Sequence, residues 1–321
     1  MPGLERAETF TVSVHRPLLT SVTVGFWCLT SGWLLASKVL PSLHPGSPPS
    51  QQTLYTAGNR LEPVGWTVKW NDRPVGWALT ETHRAAPGGL TVDSRLHFDR
   101  LPLDEMLPPW VRLLVQRAVS AGPGTSFDAR GRLMIDAGGE LRAFTSIVSL
   151  PGTAEQIVLN GTVDDGQVHV TIRAGEMRHE TTRSFPRHIM IGDELSPQAT
   201  LPGLYEGRRW TVPVYSPLRP RHTPIEILHA VVGGEESVFW NDSLVRTHIV
   251  SYHEELSGHH EPRCRMWVDL SGRVLRQEAL LLGARLSFLR RTDADAAHLA
   301  ASIGQAAPPG SPAPTITEAT P

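Results

Sequence analysis

The chain has 321 residues, with 30 Lys and Arg against 32 Asp and Glu and a formal net charge of −2. That balance gives no electrostatic case for a nucleic-acid partner, because there is no basic excess to neutralise phosphates. Its two cysteines, Cys28 and Cys264, cannot frame the fold with disulfides, and 28 Gly with 27 Pro favour many short strands over long helices.

Leu18 to Ala36, LLTSVTVGFWCLTSGWLLA, carries no charge and is bounded by Arg16 and Lys38. At helical rise it spans roughly 28 Å, about one hydrocarbon core. A cleaved signal peptide is one alternative, but no small-x-small cleavage site follows the run. A buried core helix is another, but the run has no polar face. The expectation is a signal anchor: residues 1–17 cytoplasmic, 18–40 transmembrane. Arg6 and Arg16 before the run and Lys38 after it give a slight positive-inside bias. It places the body outside the cytoplasm, on a single-pass protein of a bacterial inner membrane.

Residues 41–60 begin with PSLHPGSPPSQQ, which reads as a stiff, extended Pro/Ser-rich linker. From 61 to 303 the dominant period is two. Val64, Trp66, Val68 and Trp70 alternate with Gly65, Thr67 and Lys69; Val168, Val170 and Ile172 alternate with His169 and Thr171. Such alternation marks half-buried strands, since successive side chains point to opposite faces. Turn signals fall at Asn71-Asp72, Pro87-Gly88-Gly89, Gly138-Gly139, Asp165-Gly166, Gly175, Gly233-Gly234 and Ser271-Gly272. Their short spacing predicts roughly a dozen strands in antiparallel hairpins.

Two segments break the pattern. Asp104 to Ala121 turns helical after Pro109, with Val111, Leu114, Val115 and Ala118 on one face. Thr292 to Ile303 reads as a terminal helix capped by Thr292 or Asp293. Residues 304–321 are poor in bulky side chains and read as a disordered tail. The fold class expected is mainly β: a curved antiparallel sheet or open β-barrel with one or two helices, plus the N-terminal transmembrane helix.

The stretch GWTVKWNDRPVGWALTETHR places Trp66, Trp70 and Trp77 close together. Period two puts Trp66 and Trp70 on one face, Asn71 to Pro74 in the turn, and Trp77 at the start of the return strand. Cross-strand packing of the rings is one reading, with the preceding glycines leaving room for them. Stacking on a ligand is the other.

This hairpin resembles the opening of an extracytoplasmic β domain that precedes the catalytic part of some bacterial transglutaminase-like membrane proteins. Leu201 to Leu218, LPGLYEGRRWTVPVYSPL, and Met266 to Arg290, MWVDLSGRVLRQEALLLGARLSFLR, are similar to later segments of that domain. The resemblance implies a fold like the open β-barrels of lipoprotein carriers, in which a curved sheet wraps a helix and can hold an apolar ligand. It implies no catalytic residue here. Cys264 lies in PRCRMWV, a strand context, and not at a helix start where a thiolate would be activated.

The densest polar cluster is YHEELSGHHEPRC, Tyr252 to Cys264. Ser257 stands where HExxH would need its second His, and the run reads as a hairpin loop, so no metal site is assigned. No Gly-x-Ser-x-Gly elbow or phosphate loop occurs, and no cofactor is implied. Arg208-Arg209, Arg219/Arg221 and Arg290-Arg291 read as solvated edges.

The function expected is a membrane-anchored binding or scaffold module without enzymatic activity, partnered by the membrane and by a lipid or an envelope protein. One alternative is a carrier of a lipid or acyl chain, with Trp66, Trp70, Trp77, Trp110 and Leu114 lining a groove beside Trp110. The other is a metal-dependent or hydrolytic enzyme.

Overall fold

The computed structural model describes residues 16–34, 46, 48–49, 54, 61–99, 126–149, 156–185, 190–191, 197–215, 225–255, 261–281 and 284–306. The chain divides into two compact units, residues 1–45 and 46–321.

The first unit holds helix α1, Arg16–Leu34. Val24, Phe26, Trp27, Leu29 and Trp33 are all exposed on it. Among the described residues, no helix is long and apolar enough to cross a membrane. The expected anchor is therefore not supported, although a helix does occupy that stretch. Ser21, Thr23, Gly25, Thr30, Ser31 and Gly32 dilute the apolar run. Thr30 Oγ1 turns back to donate to the Phe26 carbonyl at 2.8 Å, as hydroxyls in helices commonly do.

The second unit is one 15-stranded sheet. In chain order its strands are β1 Val64–Trp70, β2 Arg73–Ala85, β3 Gly89–Phe98, β4 Phe127–Ile135, β5 Leu141–Ser149, β6 Gln156–Asp164, β7 Gln167–Ala174 and β8 Met177–Ser184. Then come β9 Met190–Ile191, β10 Arg209–Tyr215, β11 Ile225–Trp240, β12 Ser243–His253, β13 Cys264–Asp269, β14 Val274–Leu281 and β15 Ala284–Arg290. Their spatial order is β8-β7-β6-β5-β4-β3-β2-β1-β15-β14-β13-β12-β11-β10-β9. It is two meanders joined where the first strand pairs with the last, Trp66 opposite Arg290. All ladders are antiparallel except β9 on β10.

Two-residue turns drive the meander. Asn71 and Asp72 have φ of 46° and 67°, and Asn241 and Asp242 have 49° and 57°. Positive φ at both central positions matches the twist of the flanking strands, and Asn and Asp tolerate it. Both turns follow a tryptophan, Trp70 and Trp240. The first is narrower than expected: Arg73 already pairs with Trp70, so Pro74 belongs to β2. Gly233 and Gly234 do not turn the chain. They lie inside β11, where the register against β12 shifts.

The sheet curls. Ile225, on β11, packs against a cluster built from Leu141 and Phe144 on β5 and Val168 and Val170 on β7. In a flat sheet of this order those strands would lie roughly 50 Å apart. A larger cluster joins Trp66, Val68, Leu96 and Phe98 to Trp210, Val250, Leu286 and Phe288. The face carrying both clusters is the concave one.

Helix α2, Asp293–Ala306, packs on the opposite face. Thr292 caps it: its hydroxyl accepts from the Asp295 amide at 3.2 Å and donates to the Asp295 carboxylate at 2.7 Å. Ala296 is buried against Gly65, where an added Cβ would lie 3.1 Å from the Ala296 Cα. Gly65 thus makes room for a helix, not for a tryptophan ring as the sequence suggested.

Candidate functional site

Strand register places three rows side by side on the concave face. The first runs Trp66, Ala78, Leu96, Ala129, Val148 across β1 to β5. The third runs Val92, Leu133, Phe144, Gly161, Val170 across β3 to β7. Between them lies a belt of small residues: Thr80, Ser94, Gly131 and Ser146, continuing into Leu159 and Ile172. The belt separates the large core cluster from the cluster around Phe144. Hydroxyls and a bare Cα cannot fill the space that Leu or Phe fills on either side.

Exposure along the concave face is uneven. Trp66, Val68, Val250 and Phe288 are wholly buried, so the face over β1 and β12 to β15 is filled by its own side chains. Over β4 to β7, Ala129, Ser146, Val148, Leu159 and Ile172 are only half-buried. Beside this open stretch sit two buried donors. Trp66 Nε1 and Thr80 Oγ1 have no hydrogen-bond partner among the described residues, and the residues are 0% and 5% exposed. Such groups cost free energy unless something accepts from them. Trp210 Nε1 is likewise unpartnered, on a ring that meets Tyr252 edge-on at 6.1 Å. Burial, with the Cys264 thiol nearby, pushes the Tyr252 phenol well above its ordinary value, so it stays neutral.

The structure divides the expected lining residues. Trp66 and Trp70 share the concave face and are both buried. Trp77 does not join them, because it pairs with Thr67 and so points to the convex face. There it stacks on His97, with ring centroids 5.4 Å apart and 24° between planes. His97 holds Asp128 Oδ1 at 2.8 Å from Nδ1 and Asp99 Oδ1 at 3.3 Å from Nε2. Trp110 and Leu114, with the helix expected around them, lie outside the described residues.

The convex face over β11 to β15 carries an ionic and aromatic network. Trp267 donates to Glu236 at 3.0 Å, and the Arg276 guanidinium lies 4.6 Å above the Trp267 ring. Arg276 also pairs with Glu278. Asp269 is 4% exposed and accepts from the Ser271 amide and hydroxyl and from the Arg273 amide and guanidinium. Burial alone would raise its pKa; those bonds outweigh it and hold the carboxyl below its ordinary value. Arg290, expected at a solvated edge, is buried instead. Its side chain is 7% exposed, donates to the Ala199 carbonyl at 3.0 Å and lies 3.8 Å from Asp293. Burial lowers its pKa, against the pull of Asp293.

Among the described residues, no group of His, Cys, Asp and Glu is arranged to hold a metal. Within the Tyr252 to Cys264 cluster, Glu254 is paired with Arg263 at 3.2 Å, while His259 and His260 lie outside the described residues.

No family model and no curated protein matches the chain. Solved structures are similar to it, two of them as follows. One is the β-barrel-like protein of domain of unknown function DUF1849 from Brucella abortus, at 14% identity and TM-score 0.43, covering 72% of this chain and 96% of that one. The other is a DUF1089 family protein from Pseudomonas aeruginosa, at 15% identity and TM-score 0.34, covering 64% and 90%. These comparisons show no transglutaminase link.

Proposed function

We propose that the chain is a non-enzymatic binding module whose ligand surface is the concave face over β3 to β7. One observation carries the reading: within that region Ala129, Ser146, Val148, Leu159 and Ile172 stay half-buried, while Phe144 and Val170 beside them and the face over β1 and β12 to β15 are packed shut by their own side chains. Half-wet Val, Leu and Ile beside a trough of small residues favour an apolar ligand over bare solvent. Of the alternatives, the carrier reading therefore stands ahead of the scaffold, with the groove along the belt. Envelope localisation is part of the proposal, supported by the exposed Phe26, Trp27, Leu29 and Trp33 of α1.

The scaffold reading keeps one specific support. The β11–β12 hairpin extends beyond the residues of β10 and β13 that pair with it, and its cross-strand pair Phe239 and Leu244 is exposed. Native mass spectrometry of the full chain, purified without detergent, tests the main reading. A co-purified apolar ligand, released on unfolding, is the expected result. A clean apo mass that stays unchanged on adding amphiphiles would refute it.

A further inference from the structure

We infer that Trp66 and Thr80 form a head-group site for the carboxylate of a free acyl chain, whose hydrocarbon lies along the belt toward Leu159. The inference rests on the concave-face reading above and names its ligand class.

The two donors sit on adjoining strands of one face. Trp66 is opposite Ala78, and Thr80 lies one side-chain step further along β2. Diagonal neighbours of this kind are roughly 7 Å apart, close enough for one bridging group to meet both side chains. An indole N–H can only donate, so the missing partner of Trp66 is an acceptor. Arg290, the register partner of Trp66 on β15, adds a buried positive charge and a third unpartnered donor, Nε. The guanidinium is otherwise held by the Ala199 carbonyl and Asp293, so the case for an anion rests on the three donors themselves: one carboxylate can accept from several of them at once, as a neutral carbonyl does less well.

The belt supplies the rest of the ligand's shape. It starts at Thr80 and crosses Ser94, Gly131 and Ser146 to Leu159, four strand spacings or roughly 19 Å. Leu96 and Leu133 stand on either side of it. A narrow trough with a donor cluster at one end and an apolar, half-exposed run at the other fits a long unbranched chain ending in a carboxylate.

The test uses the full chain with indole-¹⁵N tryptophan, titrated with dodecanoate and separately with dodecan-1-ol. Dodecanoate should move one indole resonance, the one lost in Trp66→Phe. Thr80→Val, which removes the hydroxyl at nearly constant shape, should weaken dodecanoate about tenfold, and Thr80→Ser should restore it. Dodecanol should bind all three Thr80 forms equally. If the Trp66 resonance does not move, or Thr80→Val binds dodecanoate like the parent, water satisfies these donors and the head-group site is wrong. Dodecanol binding alongside either result would leave the concave-face reading standing. If neither amphiphile binds, both fall.

Discussion

Replacing Asp269 by Asn should lower the melting temperature by about 5–10 °C. The carboxylate is almost fully buried and accepts four hydrogen bonds: 2.9 and 2.6 Å from the Ser271 amide and hydroxyl, and 2.9 and 2.7 Å from the Arg273 amide and Nε. Asn keeps one oxygen for the three bonds at Oδ1. It sets an N–H₂ group against the Arg273 Nε–H in place of Oδ2, so one charge-assisted bond is lost and a donor faces a donor. A bond to a charged group contributes about 1.5–3 kcal/mol. Arg273 is 40% exposed and can rehydrate, so the net loss should fall near 2–3 kcal/mol, or about 2–4 °C per kcal/mol for a domain of this size. The assay is thermal unfolding by circular dichroism across pH. Because the folded carboxyl titrates below its ordinary 3.8, its contribution is full above that value and is lost as pH falls through the lower folded pKa. The gap between parent and variant should therefore be constant near neutrality and close below about pH 4. A gap under about 1 °C at pH 7, or one that widens in acid, would refute the reasoning.

Trp66→Ala should cost about 3–5 kcal/mol in denaturant unfolding, because the ring is wholly buried. Trp77→Ala should cost roughly 1–2 kcal/mol, since only a half-buried stack on His97 is removed. Gly65→Val should displace α2 at a cost of about 1–3 kcal/mol, seen as new proteolytic cleavage near Ala296, because the added atoms meet that residue's backbone. Asn71→Val should lose about 1–2 kcal/mol by forcing a β-branched residue to φ 46°.

The strands were legible wherever alternation was clean. Val64 to Trp70 and Val168 to Ile172 read directly, and the Asn-Asp and Asp-Gly turns announced their hairpins through residues that tolerate positive φ. Polar strands were harder to see. β8, MRHETTRS, has no apolar face because it is a sheet edge. Gly233-Gly234 looked like a turn because glycine marks a bulge and a turn alike. The face taken by Trp77 depended on register: the two-residue turn pairs Thr67 with Trp77, which sends the ring to the face opposite Trp66. The belt was invisible for the same cause. Thr80, Ser94, Gly131 and Ser146 are far apart in the chain and ordinary in type, and only three consecutive ladders bring them into one row. The buried state of Arg290 was equally hidden, since its acceptor, the Ala199 carbonyl, comes from a distant segment.

If the belt on the concave face holds a ligand, a titration of the full chain with a fluorescent fatty acid, repeated with Ser146→Trp, should reveal it. The indole would fill the trough between Gly131 and Leu159 from a half-buried position, so it can block the belt without entering the packed core. Saturable binding in the parent that disappears in Ser146→Trp, at an unchanged melting temperature, is the result predicted. Absence of saturable binding in the parent, or equal binding in the variant, would contradict it.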